Sequence, residues 1–140
     1  MDVVMNNIPL VCTLVGIIGV LFSIILATVV KSAPAGDEKM QSIANAIKEG
    51  AIAYLNRQMK SMGIAGAIIF IVIFATMGAK TAIGFLVGAV ASFLAGYIGM
   101  RVSVLANVRT AEAAKQGMAA GLAMAFKGGA VTGMIVAGLA

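Results

Sequence analysis

Long apolar runs separated by short polar segments are the main feature of this chain. Three of the runs contain no charged residue, and they cover residues 8–30, 61–79 and 81–100. An α-helix rises about 1.5 Å per residue, so about 20 apolar residues cross the roughly 30 Å of hydrocarbon in a bilayer. We therefore predict an all-α fold, a polytopic bundle of transmembrane helices, in which these runs are three complete spans.

A fourth apolar segment, residues 118–140, comes last in the sequence. Its uncharged part begins after Lys127 and makes only about 20 Å of helix, which is too short to cross a bilayer. We expect the start of an incomplete fourth span here. The 140 residues are then a single transmembrane region, the N-terminal part of a longer chain.

Two segments between the runs, residues 37–60 and 101–117, are polar enough to lie outside the bilayer. In the first, Asp37 is suited to cap a helix and apolar residues recur at helical spacing. Nothing interrupts the pattern before the second span, which predicts one helix from about Glu38 to Ala79, half of it projecting from the membrane. The alternative is a helix lying flat on the membrane that turns at residues 61–63.

The basic residues are distributed unevenly among the segments that join the spans. Nine of the ten lie in residues 31–60 and 101–127, and the tenth, Lys80, lies in the tight turn between the second and third spans. Because Lys and Arg are retained on the cytoplasmic side, we predict that the N-terminus is outside. Residues 37–60 and 101–117 are then cytoplasmic helical segments.

Small residues recur every fourth position in the last two apolar segments. One stripe consists of Gly84, Gly88, Ser92 and Gly96, and the other of Gly117, Gly121, Ala125, Gly129, Gly133 and Ala137. Small side chains let helix backbones approach closely where no hydrophobic effect drives their association. The stripes predict tightly packed helices inside a bundle larger than these segments alone.

Composition narrows the class of protein further. The chain is 61% hydrophobic and 11% charged, whereas soluble domains are about 45–50% apolar and about 25% charged, which excludes a soluble globule. The net charge of +5 comes without an aromatic-lined basic stripe, so we expect a lipid bilayer and no nucleic acid as partner. The chain has no histidine and a single cysteine, Cys12, which excludes an internal disulfide.

The acidic residues do not form a site. All five lie outside the three uncharged runs, namely Asp2, Asp37, Glu38, Glu49 and Glu112. A carboxylate inside the bilayer is the usual mark of an ion relay. The absence of acidic residues from the three runs therefore excludes a helical hairpin of a rotary ring, which has a buried carboxylate. We assign no catalytic residue, no cofactor-binding residue and no metal ligand.

Three basic residues, Arg101, Arg109 and Lys115, are candidates to contact a phosphate group. Basic residues at a cytoplasmic helix end more commonly set membrane orientation. Arg109 and Glu112 also have the spacing of an i,i+3 ion pair on one helix.

Several stretches of the sequence resemble one family closely. They are EGAIAYLNRQ at residues 49–58, LAGYIGM at 94–100, ANVRTA at 106–111 and AFKGGAV at 125–131. They resemble the membrane-bound, ion-translocating inorganic pyrophosphatases. The resemblance implies a homodimer of 16-helix subunits that hydrolyses pyrophosphate on Mg²⁺, in some members with K⁺, and drives H⁺ or Na⁺ outward. It also implies a multi-pass protein of the cell membrane, or of an internal acidic compartment in a eukaryote.

The family's pyrophosphate- and metal-binding residues lie on later helices, so the resemblance implies an enzyme whose active site is absent from these 140 residues. We expect them to be inactive alone and to be structural, with Glu49 to Arg57 and Arg101 to Lys115 bracing the catalytic region. One alternative is a small non-catalytic Gly-rich membrane protein that packs with another membrane complex. Another is a piece of an unrelated secondary transporter.

Overall fold

The computed structural model describes residues 2–139, with side chains from residue 7 onward. Four helices make up this part of the chain, α1 (Asp2–Ser32), α2 (Glu38–Met77), α3 (Ala79–Ala114) and α4 (Met118–Leu139). No strand occurs among the described residues, and each helix is long and apolar enough to cross a membrane. The predicted all-α class is confirmed, whereas the outward N-terminus stays a prediction.

Helix α2 is continuous over 40 residues, or about 60 Å. It runs through residues 61–63 without interruption, so the alternative of a flat helix with a turn there is wrong. Asp37 caps the helix as predicted, because its Oδ1 atom accepts a hydrogen bond from the backbone N–H of Met40 at 2.9 Å. This bond satisfies one of the amide groups that a helix leaves unpaired at its N-terminus.

A single residue, Gly78, connects α2 to α3. Its φ of +84° lies in the left-handed region, where a residue without a Cβ atom avoids steric strain. The reversal occurs before Lys80, which lies in the first turn of α3 rather than in the connection. Helices α2 and α3 therefore form a long antiparallel hairpin.

Helix α4 follows α3 after a short turn at residues 115–117. The helix has 22 residues, or about 33 Å, and it includes Lys127. By length and composition it is as much a candidate span as the other three. The expectation of an incomplete span counted only the uncharged residues from Gly128 onward, whereas the helix begins ten residues earlier, at Met118.

Helix α3 is the centre of the arrangement, because it contacts each of the other three helices. Helix α4 packs between α3 and α1, whereas α2 contacts α3 alone within the described part of the chain. The buried side chains of Ala95, Val131 and Ile135 form one cluster, and Leu26 and Val102 pack against it. The core thus lies among α1, α3 and α4.

Close helix contacts occur at glycines that mostly lie outside the predicted stripes. A Cβ atom added to Gly16 would lie 2.8 Å from the carbonyl oxygen of Gly138, so α1 and α4 touch backbone to backbone. A Cβ atom added to Gly128 would lie 2.6 Å from the Cβ atom of Ala106 on α3. Of the stripe glycines, Gly121 packs in this way, against Ala114.

Most of the other stripe glycines face open space. A Cβ atom would meet nothing within 4 Å at Gly84, Gly88, Gly96, Gly129 and Gly133. Packing of these glycines against further helices stays a prediction.

We predict that Gly16→Leu destabilises the protein by about 1–3 kcal/mol, because its side chain has to displace the backbone of α4 rather than a flexible side chain. Gly63→Leu is the matched control, since nothing lies within 4 Å of a Cβ atom there. Thermal unfolding of both variants in detergent, followed by circular dichroism, checks this. Equal midpoints for the two variants would contradict the α1–α4 contact.

Candidate functional site

Polar side chains converge where the end of α1, the connection to α2 and the end of α3 meet. We name this group the polar junction. It consists of the side chains of Asp37, Arg109, Glu112 and Lys115, the backbone carbonyl groups of Lys31 and Ala33, and Gly36. Its charged side chains at Asp37, Arg109, Glu112 and Lys115 lie in the segments predicted to be cytoplasmic.

Arg109 joins α3 to the C-terminus of α1. Its Nη2 atom donates to the carbonyl oxygen of Lys31 at 3.0 Å, and its Nε atom donates to that of Ala33 at 3.1 Å. Its Nη1 atom donates to the carbonyl oxygen of Leu105, one turn earlier on α3, at 2.8 Å. The last carbonyl groups of a helix lack intrahelical partners and carry partial negative charge, so a guanidinium group both satisfies and neutralises them.

Lys115 joins the end of α3 to the start of α2. Its Nζ atom lies 2.7 Å from Oε2 of Glu112 and 3.5 Å from Oδ2 of Asp37. The predicted ion pair between Arg109 and Glu112 is wrong, because the Arg109 guanidinium is turned toward α1. Glu112 Oε2 is buried and takes no hydrogen bond of good geometry from the described residues, and the Lys115 ammonium, 2.7 Å away, forms an ion pair with it.

Gly36 allows the α1–α2 connection to approach α3. Its φ of +81° is left-handed. A Cβ atom there would lie 2.8 Å from Glu112 Oε2 and 2.7 Å from the sulfur atom of Met40. Glycine at this position therefore permits the close contact between connection and helix.

The contacts of the junction shift the pKa of two of its groups. The N–H of Met40 lowers the pKa of the Asp37 carboxyl below its usual 3.8, and Lys115 contributes in the same direction. The Glu112 carboxylate raises the pKa of Lys115 above its usual 10.5, and Asp37 adds to this. Both groups are therefore charged throughout the physiological pH range.

The junction contains two carboxylates. No group of three or more histidine, cysteine, aspartate or glutamate residues converges anywhere in the part of the chain that the structure describes. Asp37 and Glu112, its two carboxylates, already share the Lys115 ammonium. Because Mg²⁺ prefers an octahedral set of oxygen ligands, these residues do not fit the Mg²⁺ ion that the resemblance implies.

The three basic candidates for phosphate contacts do not form one site. Arg109 and Lys115 are engaged within the junction, whereas Arg101 lies two helical turns earlier, with its guanidinium carbon 5.0 Å from the centre of the Tyr97 ring. Sequence reasoning missed the helix-capping role of Arg109. Its acceptors lie 76 and 78 residues away, and no local pattern indicates such a contact.

Comparison with known proteins gives a consistent result. The family model described as inorganic H⁺ pyrophosphatase matches residues 17–140. A K⁺-insensitive pyrophosphate-energized proton pump of Methanosarcina mazei is 45% identical over 138 residues, which cover 97% of this chain and 21% of the relative. A putative K⁺-stimulated pyrophosphate-energized sodium pump of Clostridium tetani is 41% identical over 121 residues, which cover 86% of this chain and 18% of that relative. The chain thus spans about a fifth of the length of these relatives.

We predict that Arg109→Ala lowers the free energy of unfolding by about 2 kcal/mol, because hydrogen bonds from a charged group contribute about 1.5–3 kcal/mol. Arg109→Lys should recover only part of this, since an ammonium group lacks the planar fork that reaches two carbonyl groups. Denaturant unfolding in detergent measures both changes.

Arg57→Ala is the matched control for this prediction. Arg57 is exposed on α2, and its side chain makes no hydrogen bond or ion pair to another described residue. If Arg109→Ala changes stability no more than Arg57→Ala does, Arg109 does not cap α1.

Proposed function

This chain belongs to the inorganic H⁺ pyrophosphatase family, and from that premise we propose that it is the N-terminal portion of a membrane pump that couples pyrophosphate hydrolysis to H⁺ or Na⁺ translocation. The resemblance seen in the sequence is confirmed. The identity of 45% over 97% of the chain to a proton pump carries the proposal. A small Gly-rich protein that assembles with another complex is not favoured, because the matching relatives are about five times longer.

We propose a structural role for this portion within the pump. The described residues lack a converging set of metal ligands, and the charged side chains of the polar junction contact helix ends and one another. The hairpin of α2 and α3 extends about 60 Å along α2, well beyond the hydrocarbon thickness. Residues 49–57 and 101–115 then brace the catalytic region on the cytoplasmic side.

The catalytic chemistry belongs to the remainder of the full-length pump. There Mg²⁺ and pyrophosphate bind, so the 140 residues alone are inactive. The names of the relatives include both K⁺-insensitive and K⁺-stimulated pumps, so K⁺ dependence varies among the relatives. K⁺ is therefore a candidate second cofactor of the full-length pump that contains this chain.

We propose a multi-pass location in the cell membrane, or in an internal acidic compartment of a eukaryote, with a second copy as partner. Four candidate spans support the membrane location. In this arrangement residues 8–30, 61–79, 81–100 and 118–140 lie in the bilayer, the N-terminus is outside and the polar junction faces the cytoplasm.

The native mass tests the proposal. An antibody against residues 37–60, applied to an immunoblot of source membranes, should detect a band about five times the 14.2 kDa of this chain. Vesicles of the same membranes should hydrolyse pyrophosphate in the presence of Mg²⁺ and take up H⁺ or Na⁺ as they do so. A band near 14.2 kDa, with no such activity, would favour the small non-catalytic protein.

The bracing role is tested in the full-length pump. We expect Arg109→Ala and Glu112→Ala to lower pyrophosphate hydrolysis and ion uptake severalfold, because a misplacement of catalytic groups by about 1 Å can cost about 100-fold. Lys60→Ala should leave both rates unchanged, because Lys60 is exposed on α2 and lies outside both bracing segments. If the two junction variants hydrolyse and pump like the unaltered protein, the junction does not brace the active site.

A further inference from the structure

A cleft between α2 and α3 combines two basic side chains with an apolar lining. Its volume is about 180 Å³, and Lys48 of α2 and Arg101 of α3 contribute the only charges to its walls. The other six lining residues are apolar, among them Leu55, Met100 and Val104. No carboxylate lines the cleft, so it is complementary to an anion that carries apolar groups.

The position of the cleft along the hairpin coincides with the headgroup layer of a bilayer. Arg101 is 23 residues from the turn at Gly78, or about 35 Å, and Lys48 is 30 residues from it, or about 45 Å. The hydrocarbon layer is about 30 Å thick, and the bilayer with its headgroups is about 40–45 Å thick. With the turn at one surface, Arg101 lies among the headgroups of the opposite leaflet and Lys48 lies at their outer edge. The basic-residue distribution predicts that this leaflet is cytoplasmic.

The two charges are available to a ligand. Neither the Lys48 nor the Arg101 side chain forms an ion pair or a hydrogen bond with another residue in the described part of the chain. The Arg101 guanidinium lies over the face of the Tyr97 ring, with its carbon atom 5.0 Å from the ring centre. The N–H groups at the edge of the guanidinium remain free to donate hydrogen bonds.

A second cleft follows in the same hairpin, closer to the Gly78 turn. It has a volume of about 750 Å³ and lies between residues 62–71 of α2 and 85–93 of α3, within the predicted spans. Ser92 is the only polar side chain in its lining, which is otherwise glycine, alanine, aliphatic, methionine and phenylalanine residues. The hairpin therefore presents an apolar cleft at hydrocarbon depth and a basic cleft at headgroup depth.

We propose that the α2–α3 hairpin binds an anionic phospholipid, with the phosphate group at Lys48 and Arg101 and an acyl chain in the apolar cleft. Basic pockets between transmembrane helices are suited to anionic headgroups, and Arg and Lys donate charge-assisted hydrogen bonds to phosphate oxygens. A free phosphate ion would leave the apolar lining unused, whereas a lipid uses both clefts. The proposal is independent of the pumping function.

Native mass spectrometry of the full-length protein in detergent, with dioleoylphosphatidylglycerol or dioleoylphosphatidylcholine added, tests the proposal. The unaltered protein should retain the anionic lipid preferentially. Lys48→Gln with Arg101→Gln removes the two charges that line the cleft and, with them, the charge-assisted hydrogen bonds to the phosphate, so this variant should lose its preference for phosphatidylglycerol. Phosphatidylcholine binding should change little.

The matched control removes two charges that lie near the same membrane surface but outside the cleft. Arg57→Gln with Lys60→Gln lowers the net charge equally, and neither residue lines the cleft. This variant should keep its preference for phosphatidylglycerol. Equal losses in the two double variants would mean general attraction to a basic surface and would overturn the proposal, as would an unaltered protein without any preference.

A second pair of variants tests the apolar cleft. Gly66 lines it, and nothing lies within 4 Å of a Cβ atom there, so Gly66→Leu fills the cleft without displacing the backbone. We expect this variant to retain both lipids severalfold less well. Gly88→Leu is equally unhindered and lies outside the cleft, so it should bind like the unaltered protein. Unchanged binding in Gly66→Leu would exclude an acyl chain from this cleft.

Discussion

A bilayer offers no hydrogen-bond partner to a peptide group, and this constraint accounts for most of the arrangement. The apolar segments form continuous helices, because a helix satisfies its backbone internally. The unsatisfied groups are then confined to the helix ends, where side chains provide partners. Asp37 accepts from the first turn of α2, and Arg109 donates to the last carbonyl groups of α1. The polar junction thus forms because α1 ends and α2 begins beside the C-terminal end of α3.

The lipid bilayer also determines how the helices pack against one another. Where lipid is as apolar as leucine, helices gain from close backbone contact, and glycine makes such contact possible. Gly16 meets Gly138 and Gly128 meets Ala106, which joins α1, α3 and α4 into one group. Helix α2 stands outside that group and contacts only α3 among the described helices. Its hairpin with α3 consequently has open clefts, two of which lie at the depths of a lipid tail and of a lipid headgroup.

The distribution of charge separates this portion from the chemistry of a pump. An ion pathway requires ionisable groups inside the bilayer. The spans at residues 8–30, 61–79 and 81–100 have none, and the span at residues 118–140 has Lys127 alone. The two carboxylates of the polar junction, Asp37 and Glu112, share the single ammonium group of Lys115. A scaffold that fixes helix ends and binds the surrounding lipid is consistent with this distribution and with a chain that spans a fifth of its relatives.

By itself the sequence determined the helical class, the cap at Asp37 and the family, because hydropathy, capping and motif residues are local properties of the chain. The sequence favoured a continuous α2 but left a turn at residues 61–63 open, and the structure decided between them. Only the tertiary structure decided which small residues touch and which charges pair. The glycines in contact lie mostly beside the predicted stripes, since the faces that meet depend on how three helices cross. Arg109 turns from Glu112 to α1 because carbonyl groups 76 and 78 residues away come within hydrogen-bond distance only when the helices are assembled.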